Sequence, residues 1–238
     1  IAVDPQLVRR LEVLRGPATL RYGGGAIGGV VHVVDRRMDE TMPEGGQAGQ
    51  FSLRTDSNGR GWVASAGVSQ ALSGAVVLRL EGLRSEQDPY RVPRQGQDRH
   101  VEGTQSDQQT GTVGLSWVDA QGFAGLAYTR QQRQYGLPGH DHSHEHCALQ
   151  GETLACEAEP EGEPDHGALP PQVDLISQRW ELRADRQAPW RGVAQLSFRG
   201  NYTDYQHQEL EEGVVGTTFA NRGHDARLEL TLQPWAGW

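Results

Sequence analysis

Four histidines, His140, His142, His144 and His146, stand at alternate positions and are interleaved with Asp141, Ser143 and Glu145. Imidazole nitrogen and carboxylate oxygen are both ligands that Zn²⁺ accepts. In an extended segment this spacing turns all four rings to one side. Rigid structural zinc sites use i, i+3 or i+4 spacings or C-x2-C turns, and this run has neither. The expectation is therefore a loose capture site with exchanging ligand sets, which His166 in the same stretch is able to join. Imidazole ligates only when neutral, so capture should weaken as pH falls through about 6.5. Eight acidic residues and no arginine lie within residues 140–166, while the whole chain carries a net charge of −9. The acidity is thus local. It draws cations to one place and argues against nucleic acid as a partner. Cys147 and Cys156 fall in the same stretch. They either close a small loop as a disulfide in an oxidising compartment or offer thiolates to a metal. The disulfide is the expectation, because the architecture points outside the cytoplasm.

A second constellation is "DYQHQE". Strand parity puts Tyr205, His207 and Glu209 on one face, where His and Glu at i, i+2 can share a tetrahedral metal. The other reading is ordinary polarity of that face. No nucleophile–base set, catalytic carboxylate pair or cofactor fingerprint stands out. The triple glycine at residues 23–25 is not followed by Lys-Ser/Thr, so it is not a phosphate-binding loop. No enzymatic activity and no cofactor are expected.

The elements that carry these residues read as β-strands. From about Gln47 onward, alternating stretches of roughly ten residues are separated by turn signals. Trp62, Ala64, Ala66 and Val68 share one face, and Val63, Ser65, Gly67 and Ser69 the other. Ala194, Leu196, Phe198, Gly200 and Tyr202 lie opposite Gln195, Ser197, Arg199, Asn201 and Thr203. Ala226, Leu228, Leu230 and Leu232 lie opposite Asp225, Arg227, Glu229 and Thr231. The face opposite the apolar one is charged, with Arg79, Glu81, Arg179, Glu181 and Arg183 also on it. Aromatics sit near strand ends (Trp62, Trp117, Tyr128, Tyr202, Trp235). Connections are short near residues 57, 73, 120 and 189 and longer near 88–106, 135–173 and 208–217. That alternation is the pattern of an outer-membrane β-barrel. A soluble β-sandwich is the alternative, but it gives no reason for the alternation. No run of 18 apolar residues occurs, so no membrane-spanning helix is expected. The first residues do not form a signal peptide.

Residues 1–44 depart from this rhythm. "LVRRLEVLRGPATLRYGGGAIGGVVHVVDRR" reads as a strand at 11–14, a Gly16-Pro17 turn, a helical turn at 18–22, a glycine loop and a strand at 30–34. Residues 12–17, Leu20, 22–23 and 25–31 resemble the end of the plug domain of TonB-dependent outer-membrane receptors. "QTGTVGLSWV", "GFAGLAYTR", "YGLPGH", "RWELRAD", "DYQHQE" and "ARLEL" resemble, in order, the zinc-uptake branch of that family, which carries a His- and acid-rich loop with two cysteines. The resemblance implies a plug end at 1–44 and antiparallel barrel strands over 45–238, about eight of the roughly 22 in the family. Residues 135–173 would form the extracellular loop. It implies location in the outer membrane and energy supplied by TonB-ExbB-ExbD acting on a part of the plug outside this chain. Zinc would be the transported substrate. Glu209 would be a ligand of an inner metal site with His207 secondary, and Arg15 would be a plug–barrel contact. A siderophore or haem receptor, or a non-transporting metal-binding surface barrel, are the alternatives. The resemblance also implies that this chain, with the TonB box, the front of the plug and the later strands missing, neither closes a barrel nor transports alone.

Overall fold

The computed structural model describes residues 5–17, 19, 28–93, 100–138, 146–150, 153–157, 170–211 and 213–233. Three β units appear. A hairpin pairs β1 (Val8–Leu14) with β2 (Val30–Asp35). A small hairpin pairs β8 (His146–Gln150) with β9 (Thr153–Glu157). The remaining strands form one antiparallel meander of eight: β3 (Gln47–Thr55), β4 (Trp62–Ala71), β5 (Val76–Gln87), β6 (Ser106–Asp119), β7 (Gly122–Gly136), β10 (Gln172–Gln187), β11 (Val193–Glu211) and β12 (Val214–Leu232). Strands β3 and β12 are its two edges.

The sheet is inverted relative to a soluble protein. Its buried side is polar: Ser69, Arg79, Thr110, Thr112 and Ser116 are all buried, with Arg79 only 3% exposed. Its exposed side is apolar: Leu80, Val113, Leu115, Leu126, Leu182 and Leu228 stand open, and Trp180 is 47% exposed. In water such a surface would cost about 25 cal/mol for each Å² of apolar area left uncovered. It is the surface expected of a wall that meets lipid. Tyr128, Trp180 and Tyr202 are direct cross-strand partners on this face. The Tyr128 and Trp180 rings lie 4.7 Å apart, and the Tyr128 hydroxyl donates to Gln178 Oε1 at 2.9 Å. An aromatic row with polar tips marks the boundary between hydrocarbon and headgroups.

Strands β11 and β12 have 19 residues each, where about 9–11 suffice to cross a bilayer. Of their outward-facing apolar residues, Leu228 and Leu230 are exposed and Leu196 and Phe198 half-buried, and these four pair with one another toward the end away from Val214. Beyond Tyr202 that face turns to Asp204, Gln206, Gln208 and Arg222, so the far half extends past the lipid.

Two connections differ from the sequence reading. The long loop expected near 208–217 is a tight hairpin: β11 ends at Glu211 and β12 begins at Val214. Gly213, at φ 79°, supplies the left-handed residue this needs, and a register shift at Glu209/Leu210 keeps the ladder paired. The Asn58-Gly59 turn is wider than a two-residue hairpin. Asp56 N–H donates to the Gly61 carbonyl at 2.7 Å, and Asp56 Oδ1 accepts from Asn58 N–H. The β8–β9 hairpin was not foreseen within the His-rich stretch.

Candidate functional site

Strand register brings chemistry-bearing residues together on the polar face. Gln108, Arg133, Leu175, His207 and Phe219 form one cross-strand row over β6, β7, β10, β11 and β12. Tyr135 and Glu209 belong to the next row outward, and Tyr205 to the next row inward. The His207 ring stacks on Phe219 at 5.2 Å, and its Nδ1 lies 3.0 Å from the Tyr205 hydroxyl. Tyr205 packs edge-on against Phe219 at 6.2 Å. The Arg133 guanidinium sits 5.2 Å over the Tyr135 ring, and its Nε is buried without a hydrogen-bond partner. A buried, unpaired guanidinium N–H is costly and is normally satisfied by an acceptor. The cluster therefore combines three aromatic rings, an imidazole and an arginine. Such a surface stacks on flat rings and attracts negative charge. His207 Nε2 and Glu209 Oε1 are 4.0 Å apart, close enough to share an ion. Among the described residues no three His, Cys, Asp or Glu side chains converge into a metal site.

A second arrangement seats the segment after β2, residues 36–40, against the same face. Arg79 is its centre: Nε donates to the Arg36 carbonyl at 2.6 Å, Nη1 to Ser69 Oγ at 3.1 Å, and Nη2 to Glu81 Oε2. Arg37 pairs with Asp35 at 2.6 Å and with Glu181 at 3.5 Å, and Glu181 is also ion-paired with Arg179 at 3.2 Å. Arg183 reaches Glu40 at 2.5 Å. Glycines make the close approach possible. A Cβ on Gly114 would overlap the Arg37 carbonyl oxygen, and one on Gly125 would lie 2.9 Å from Met38 Sδ. Met38 is 2% exposed there. In the β1–β2 hairpin, a hydrogen bond from His32, with Arg10 beside it, holds the Glu12 carboxyl below the usual carboxylate range.

Of the residues singled out from sequence, His207 and Glu209 share the polar face as parity predicts. Arg15 is exposed and makes no hydrogen bond or ion pair among the described residues. His140, Asp141, His142, His144, Glu145 and His166 lie outside the described residues. His146 opens β8, and Cys147 is the direct backbone partner of Cys156. Sequence reasoning placed Arg79 and Glu81 on the charged face without foreseeing the seat they build. It missed Arg37, Gly114 and Arg133, and glycines at inward parity in β6 and β7 were the available hint.

Comparison with known proteins bears on the N-terminal hairpin. A family model described as the TonB-dependent receptor plug domain matches residues 2–30. The N-terminal segment is thus similar to the plug of TonB-dependent outer-membrane receptors. The chain is similar to the ferric enterobactin receptor PirA of Pseudomonas aeruginosa, at 52% identity over 40 residues, covering 17% of this chain and 5% of PirA. It is 62% identical over 29 residues to the hemin receptor of Yersinia pestis, covering 12% of this chain and 4% of that protein. Similarity to the ferrioxamine receptor of Yersinia enterocolitica is 32% over 88 residues, covering 37% and 12% respectively. The matches thus span only 4% to 12% of those relatives' lengths. The protein is an outer-membrane protein, and the apolar face of its sheet is the one suited to lipid.

Proposed function

We propose that this protein is part of a TonB-dependent receptor that imports an iron chelate, a siderophore or haem, with residues 1–44 as the end of the plug and 45–238 as barrel strands. The observation that carries the reading is the lumenal cluster of Arg133, Tyr135, Tyr205, His207 and Phe219. Haem is a flat ring system bearing carboxylates, and a ferric catecholate complex is anionic and presents flat aromatic rings at its surface; both suit aromatic side chains beside a half-buried guanidinium. The names of the relatives, which refer to enterobactin, hemin and ferrioxamine, support the same class. The energy would come from TonB-ExbB-ExbD pulling on the plug. The test is growth of cells lacking their own chelate receptors but carrying the full-length gene. Rescue by haem or a catecholate chelate is the expected result, and rescue by zinc alone contradicts it.

Zinc import is the second reading. It is favoured by the 4.0 Å approach of His207 to Glu209 and by the run His140, His142, His144 and His146. It predicts that His207→Ala with Glu209→Ala abolishes zinc-dependent growth while haem use persists.

Under either reading, Cys147 and Cys156 form a disulfide in the space outside the cytoplasm. Direct cross-strand partners fall in the Cα separation a disulfide requires, about 4.4–6.8 Å. Alkylation followed by mass spectrometry should find both thiols protected until reductant is added, and free thiols in the unreduced protein would contradict this.

A further inference from the structure

Three arginines lie side by side on the lumenal face. Arg183 of β10 is the direct partner of Arg199 of β11, and Arg199 is the direct partner of Arg227 of β12. Neighbouring strands are about 4.8 Å apart, and like charges placed directly opposite destabilise a sheet unless counter-charge meets them. The two ends of this rung are met. Arg183 donates to Glu40, a carboxylate supplied by the segment after β2 rather than by the wall, and Arg227 to Glu229 on its own strand. Arg199, in the middle, is exposed and makes no hydrogen bond or ion pair among the described residues.

The carboxylates in the adjacent rows are engaged elsewhere. Glu181 accepts from Arg37 and is ion-paired with Arg179, Asp185 accepts from Gln195 and Ser197, and Asp225 from Asn201. We infer that the rung is an oxyanion-binding site. Arg199 is its open position and Arg227 its second donor, and the site takes a carboxylate or phosphate group of a ligand within the lumen. The docking of Glu40 on Arg183 demonstrates within the chain that this rung receives a carboxylate from outside the wall. Guanidinium groups present paired N–H donors that match an oxyanion bidentately, which suits them to this task better than point charges. Occupancy of Arg199 would also place an anion beside the Arg183–Glu40 contact, so that ligand binding and seating of residues 36–40 share one row of side chains. The inference stands whichever chelate is imported.

The full chain in detergent micelles is to be titrated with inorganic phosphate and with citrate by calorimetry at low salt. Binding of either anion is expected, weakening at least tenfold in Arg199→Gln and with rising salt. Arg54→Gln, on the same face of β3 but away from the rung, should leave it unchanged. Tighter binding of phosphate identifies a phosphorylated ligand and tighter binding of citrate a carboxylate chelate. Unaltered binding in Arg199→Gln, or no binding of either anion to the unaltered chain, overturns the assignment.

Discussion

Replacing Arg79 with methionine is expected to destabilise the protein by about 3–5 kcal/mol, the cost of leaving one partner of a buried ion pair alone. Arg79 is 3% exposed and Glu81 9%. Their environment holds no other cation that hydrogen-bonds Glu81 among the described residues. The substitution also removes the donor to the Arg36 carbonyl and to Ser69. The buried Ser69 hydroxyl and the part-buried Arg36 carbonyl thereby lose this donor, besides the carboxylate, and each unsatisfied group adds to the loss. Denaturant unfolding in detergent measures the effect. The double variant Arg79→Met, Glu81→Met should recover part of it, because no charge is then left buried. A single variant as stable as the unaltered chain would show that the Arg36 carbonyl is not held by this side chain.

Replacing Gly114 with valine is expected to unseat residues 36–40. The new Cβ would overlap the Arg37 carbonyl oxygen, and the wall strand cannot yield, because it is laddered to β5 and β7 on both sides. Overpacking of this kind costs about 1–3 kcal/mol. Displacing the segment is cheaper for the molecule than breaking the sheet, so the consequence is local. Arg36 and Arg37 should become cleavable by an arginine-specific protease, with cleavage at least tenfold faster than in the unaltered chain. Gly111→Val is the control. It sits on the same strand with nothing within 4 Å of a Cβ, and it should leave the segment protected. Equal protection in both variants would contradict the seat.

The faces of the strands were legible from sequence because a β-strand has a period of two, and lipid imposes an apolar outside on every turn of it. Parity alone placed His207 with Glu209, and Arg183, Arg199 and Arg227 on the charged side. The plug motif was legible because its glycines and its "LRGP" run follow one another without interruption. What sequence could not supply was pairing across strands. Phe219 comes to His207 because β11, ending at Glu211, pairs directly with β12, beginning at Val214, where residues 208–217 read from sequence as a longer loop. Gln206 and Gln208 extend the ladder beyond the lipid, where polarity is compatible with strand. The seat was equally hidden. Gly114 reads locally as a weak strand residue, and only the approach of a segment far away in the chain gives its missing side chain a purpose. Arg133 likewise gains meaning only from the rings that register brings beside it.

The cluster around Arg133 and His207 is proposed to receive an anionic iron chelate that offers flat aromatic surfaces. The most direct test of that proposal is equilibrium titration of the purified protein with hemin, a ferric catecholate chelate and Zn²⁺, each against the unaltered chain and Arg133→Gln. Saturable binding of hemin or the catecholate chelate, weakened at least tenfold by Arg133→Gln, is the predicted result, since a hydrogen bond to a charged group contributes about 1.5–3 kcal/mol. Binding of Zn²⁺ alone, with neither chelate bound, would contradict it.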